Sequence, residues 1–167
     1  MLIYQFTRIF REEHRRLRDI LLSLQSAFEG RDQVHIPSLI VDFITFGGPH
    51  FRYEEEALHP ALTETYGKNY TAKLLGNHYL VIRAVRDLGE LGGKKLLTDQ
   101  DTVEVNRLIC SILIHITECD GISLMVERLE EETVRSILNA RDRCRREGLD
   151  LLQWATSVRN RPAITPN

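Results

Sequence analysis

Four long segments of the chain repeat their apolar residues at alternating steps of three and four, the period of one helix face, and no stretch alternates convincingly as a strand. In the first, about Thr7 to Glu29, the stripe reads Phe10, His14, Leu17, Leu21, Leu24, Phe28 and stops at Gly30. The second runs from about Pro37 to Tyr66, with Ile36, Ile40, Phe43, Gly47, His50, Glu54, Ala57 and Ala61 on one face. The third, about Asn69 to Leu91, turns Leu74, His78, Val81 or Ile82, Val85 and Leu88 inward and closes at Gly92-Gly93. Thr98 opens the fourth, with Asp101 as a weak capping-box match, and its stripe is Val105, Leu108, Ile112, His115, Cys119, Ile122, Val126, Leu129. Long amphipathic segments with short connections predict an all-α fold, an antiparallel up-down four-helix bundle over about 7–129. An additional short C-terminal helix, about Glu131 to Glu147, ends at Gly148; Leu149, Leu151, Leu152 and Trp154 then dock on the bundle and the last residues fray. The whole of 1–167 reads as one domain, without repeat, low-complexity tract or interdomain linker.

Composition narrows the function classes. Lys plus Arg number 22 against 24 Asp plus Glu, a formal net charge of −2, which argues against a nucleic-acid binder working by phosphate neutralisation. The run Arg141 to Arg146 is interrupted by Asp142 and Cys144 and reads as a solvated helix face. No apolar run reaches the roughly 18 to 20 residues of a membrane span, and neither a secretory signal nor a C-terminal anchor is expected. Cys110, Cys119 and Cys144 have no paired spacing, so the expectation is a reduced, cytoplasmic protein.

The six histidines carry the chemistry. His14, His50, His78 and His115 each fall inside the apolar stripe of a different long helix, so four imidazoles converge on a common core. One such histidine is ordinarily a satisfied core residue; one per helix points to a metal site. Glu54, four residues after His50, shares its face, and a carboxylate there is costly unless it is paired, for instance with Arg83, or ligates a metal. Glu55 and Glu56 read as solvated. His35 is expected to be exposed, and His59, nine residues after His50 and before Pro60, falls on nearly the opposite side of the helix; both read as bystanders.

The ordered set His14, then His50-Phe-Arg-Tyr-Glu54-Glu55, then His78, then His115 followed five residues later by Asp120, resembles the hemerythrin-like family over about residues 8 to 128. The resemblance implies a cofactor of two iron ions, a non-heme di-iron centre, oxo- or hydroxo-bridged when oxidised. His14 and His50 would serve one iron, His78 and His115 the other, with Glu54 and Asp120 bridging.

Two departures matter. Oxygen carriers of the family have two histidines four apart on the third helix, and here the positions four either side of His78 are Leu74 and Ile82. An open coordination position is therefore expected, favouring a site that reacts with, senses or activates a small molecule over a reversible oxygen store. On a regular helix Asp120 lies roughly 140° from His115, so ligation would require a local π-type opening. Glu118 is the second choice, and Cys119, which shares the stripe, is either a thiolate ligand or a small buried hydrophobe. Tyr53 and Tyr79 either donate hydrogen bonds to a bound species or pack between helices. Gly47-Gly48-Pro49 predicts a kink, serving either a small-molecule gap or close approach of another helix.

The function expected is a di-iron metalloprotein that binds and reacts with O2, nitric oxide or peroxide in sensing, protection or iron handling, with an electron donor. The alternatives are a di-iron oxygenase or oxidase acting on a small organic substrate, its pocket formed in part by the fifth helix and Trp154, and a metal-free helical interaction module. A roomy cavity beside the metals would favour the oxygenase. Neither nucleic acid nor membrane is expected as a partner, and a homo-oligomer is left open.

Overall fold

The computed structural model describes residues 1–158, and every regular element among them is helical. Helix α1 spans Leu2–Glu29, α2 His35–Tyr53, α3 His59–Tyr66, α4 Lys68–Gly92 and α5 Asp99–Asp120. A π turn, Glu54–Leu58, joins α2 to α3 without a break. Short α6, Ile122–Met125, leads into a 3-10 turn at Val126–Arg128, followed by α7, Glu131–Glu147, and α8, Leu151–Ser157. The expected fraying falls on the residues after 158, outside those described.

Local chemistry explains the ends. Thr98 and Asp101 form a reciprocal capping box at the start of α5, with Asp101 N–H donating to Thr98 Oγ1 and Thr98 N–H to Asp101 Oδ2. Gly148 closes α7 in the left-handed conformation, φ 66°, that glycine adopts at least cost. The tail expected to dock is itself a helix, because Asp150 and Gln153 cap it reciprocally. Pro49 sits inside α2 without ending it. A Cβ on Gly48 would strike the backbone of Leu149 and Asp150, so this glycine serves close approach of the α7–α8 connection.

α1 packs against α2 and α5, α4 against α2 and α5, and α7 and α8 cover α2. The buried apolar residues form two clusters. One contains Leu17 to Phe28 of α1, Ile36 to Phe43 of α2, Val81 to Leu88 of α4 and Val105 to Ile112 of α5. The other contains Phe6 and Phe10, Leu58 and Leu62, Leu74, Cys119, Ile122 and the inner face of α7. Along each long helix a histidine marks the passage between clusters: His14, His50, His78 and His115 are all at least nine-tenths buried. Among the described residues one segment, Asp99–Arg128, is long and apolar enough by length and average composition to cross a membrane, although polar residues interrupt it. Of its buried apolar residues, Val105, Leu108, Ile109, Ile112 and Ile116 belong to the first core cluster and Cys119, Ile122 and Val126 to the second.

Candidate metal centre

Glu54 occupies the middle of the polar layer, 1% exposed, where the last turn of α2 meets the π turn. Its two oxygens face different histidines. Oε1 lies 3.5 Å from His50 Nε2 and 3.9 Å from His14 Nε2, and Oε2 lies 3.0 Å from His78 Nε2. None of these approaches is aligned as a hydrogen bond: both carboxylate oxygens and His78 Nε2 are buried without such a partner. Arg83 is exposed, so the buried salt bridge weighed for Glu54 does not form there. Ring centroids are 4.9 Å apart for His14 and His50 and 5.2 Å for His78 and His115.

The outer nitrogens explain why the inner ones converge. His14 Nδ1–H donates to Asp120 Oδ1 at 3.0 Å, His50 Nδ1–H to Glu13 Oε2 at 2.9 Å, and His78 Nδ1–H to Glu55 Oε1 at 2.9 Å. An ionised carboxylate only accepts, so each contact places a proton on Nδ1 and turns Nε2 toward Glu54. This carboxylate–imidazole pairing is how metal-binding histidines are oriented. Glu13 and Glu55 were not legible as site residues. Glu13 is buried because Arg141 reaches inward from α7 (Nε to Glu13 Oε1, 2.7 Å) and Tyr53 OH donates to its Oε2 (3.0 Å). The basic run is thus not wholly a solvated face. Glu55 also accepts from Trp154 Nε1 of α8 at 3.1 Å, whereas Glu56 is exposed as expected and pairs with Arg52 and Arg143.

His59 corrects the sequence reading most sharply. It is 5% exposed, its ring centroid is 4.9 Å from that of His78, and neither ring nitrogen has a hydrogen-bond partner. The cause is the π turn, whose bond runs from His59 N–H to Glu54 O, a step of five residues. In such a turn residue i+5 follows residue i, so His59 stacks after Glu54 much as Glu54 stacks after His50. Pro60 is the signal that was available: it has no N–H and crowds the carbonyl of Glu56, so it disturbs the preceding turn, which here opens. His35 is exposed and paired with Asp32.

The expected opening of α5 is absent, since the helix runs regularly through Asp120. Asp120 therefore lies on the outer side of His14, its side chain 47% exposed. Glu118 is exposed and accepts from Asn77, and Tyr79 is exposed as well. Cys119 faces inward, 1% exposed, with Sγ 3.5 Å from His115 Nε2. Among the described residues, three sets of donor atoms lie close enough to share an ion: His14, His50 and Glu54; Glu54, His59 and His78; and His78, His115 and Cys119.

Burial and charge divide the imidazoles. Burial pulls His50 and His78 down, but Glu54 and Glu13 outweigh it at His50, and Cys119 followed by Glu54 and Glu55 outweighs it at His78, so both lie above the usual value. Burial, aided by the charge on His78, depresses His59 to about 4 and His115 to about 3. Glu54 is buried too, yet the surrounding imidazoles hold it well below the carboxylate range. For Glu13 burial acts upward, and His50 and Arg141 outweigh it to bring it down to about 2. A cavity of about 340 Å³ opens on the outer side of His50, lined among others by Glu13, Arg16, Phe46, Pro49, Tyr53 and Arg141.

Fold and site together define an all-helical protein with buried His/Glu/Cys groups able to hold a metal ion. Comparison with protein-family models, with curated proteins and with solved structures gives no match in any of the three.

Proposed function

We propose that the chain is a hemerythrin-like, non-heme di-iron metalloprotein of the cytoplasm that binds and reacts with O2 or a related small molecule such as nitric oxide or peroxide. The observation that carries this reading is the set of buried atoms without hydrogen-bond partners: both oxygens of Glu54, His78 Nε2 and both nitrogens of His59. Polar atoms left this way cost several kcal/mol unless a ligand satisfies them, and imidazole plus carboxylate is a donor set suited to iron. The fold supports it as well. α1 and α4 pass from the Phe6–Leu74 cluster to the Leu17–Val105 cluster, while α2 and α5 pass the other way, the order of an up-down bundle.

His14, His50 and Glu54 Oε1 would hold one ion; Glu54 Oε2, His78 and His115 the other, with His59 beside them. A pair of reduced irons held by these residues would supply two-electron chemistry toward a small molecule of the dioxygen class. The chain's own share is orientation and exclusion of water. Asp120, Glu13 and Glu55 fix the three imidazoles, and the rings of Phe10 and Phe51 pack on His14 and His78 with centroids 4.3 Å apart in each pair. His59 would stand beside His78, where α4 offers no second histidine.

The cavity at His50 supports a second reading, a di-iron oxygenase or oxidase acting on a small organic substrate. It opens on the Nδ1 side of the ring, behind Glu13, which favours the first reading. Metal analysis of purified protein, with absorption spectra after reduction and after oxygen exposure, tests the proposal. About two irons per chain with an oxo-bridged charge-transfer spectrum is the expected result. A protein without metal whose His50→Ala, Glu54→Ala variant folds normally would overturn it.

A further inference from the structure

We infer that Cys119 ligates metal as a thiolate at the His78–His115 position, so that the two halves of the centre differ in chemistry, nitrogen and oxygen at one and nitrogen and sulfur at the other. This rests on the metal centre proposed above. The geometry follows from the regularity of α5. Four residues of α-helix return a side chain to the same face, displaced by about 40°, whereas five carry it roughly 140° away. Because α5 stays regular, Cys119 stands over His115 and Asp120 is turned out to His14 Nδ1. Cys119 Sγ lies 3.5 Å from His115 Nε2, and donor atoms of His78, His115 and Cys119 fall within 4.8 Å of one another.

A buried cysteine alone is ordinarily a small hydrophobe. Here independent atoms point at a ligand in the same place. His78, 0% exposed, keeps Nε2 without an aligned partner, and His59, 5% exposed, leaves both nitrogens unpaired against the His78 ring. An ion bound by His78, His115 and Sγ would satisfy His78 Nε2, with Glu54 or His59 completing four donors. On binding, the S–H bond is replaced by a sulfur–metal bond and the proton leaves to solvent. No electron is transferred. Imidazole with thiolate is a set that takes zinc or cobalt readily, so this half of the centre accepts softer divalent ions than the His14–His50–Glu54 half.

Cobalt(II) added to the metal-free full-length protein is the probe, read by near-ultraviolet thiolate-to-cobalt charge transfer. The expected result is two equivalents bound, a band that saturates with one of them, and its loss in Cys119→Ser while the His14–His50–Glu54 position still loads. Cys144→Ser should keep the band. Two equivalents bound without the band, or a band that persists in Cys119→Ser, overturns the thiolate and leaves the centre standing. No cobalt bound at all overturns the centre as well. Since Cys119→Ser buries a hydroxyl, X-ray absorption on wild-type protein loaded with zinc gives the same answer without a variant. One sulfur at about 2.3 Å supports the thiolate, and a first shell of nitrogen and oxygen only refutes it.

Discussion

Glu13→Gln isolates how much the fold depends on the charge behind His50. The side chain is 8% exposed, so water does little to screen it. A carboxyl brought from its ordinary 4.5 to about 2 by His50 and Arg141 contributes about 3 kcal/mol to folding at neutral pH, at about 1.4 kcal/mol per tenfold change in proton affinity. Glutamine keeps the shape and an acceptor for His50 Nδ1–H but removes the charge, leaving Arg141 without its buried counter-ion. Because the folded value lies below the unfolded one, this stabilisation is present above about pH 4.5 and is lost as pH falls through about 2. Urea unfolding of metal-free protein should therefore show the variant about 3 kcal/mol less stable at about pH 7, the gap narrowing to about 1 kcal/mol near pH 3. A competing chelator should report metal binding about 10- to 100-fold weaker, since an outer carboxylate has been lost from a ligating histidine. Equal stability at neutral pH, or a gap that does not narrow in acid, would refute the reasoning.

Other outcomes follow from the same geometry. In metal-free protein His59 titrates at about 4 instead of near 6.5, so the unfolded chain binds the extra proton and stability falls as pH drops between those values. His59→Leu should remove about 3 kcal/mol of that acid dependence in urea melts. His50 and His78 have raised values and face Glu54 through Nε2, so loading iron(II) at neutral pH should release protons, and apparent affinity should weaken as pH falls. A pH indicator in weak buffer and a chelator competition measure these. Gly48→Ala puts a methyl group into the backbone of Leu149 and Asp150. Forcing that junction apart should cost about 1–3 kcal/mol and expose α8 to limited proteolysis.

The helical class, the segment ends at Thr98 and Gly148, and one buried histidine per long helix were legible because a single helix face has one period and one set of end signals. Glu54 was legible for the same reason, as a carboxylate where an apolar residue belonged. His59 was not, because its place depends on a five-residue turn, and counting at 100° per residue carries it to the wrong side. Pro60 held the warning, but only the packed helix shows whether a proline bends, breaks or widens the turn before it. Glu13 and Glu55 were hidden for another reason. Each sits beside a ligand position on the edge of its stripe, and only when Arg141 and Trp154 arrive from α7 and α8 does that edge become interior. Asp120 and Cys119 mark the division most plainly. On a regular helix Cys119 shares the stripe of His115 and Asp120 joins it only through a local opening, so which of the two faces the core depends on the helix staying regular. The regularity of α5, a property of the assembled fold, decided that it is the cysteine, and sent the aspartate to the outer nitrogen of His14.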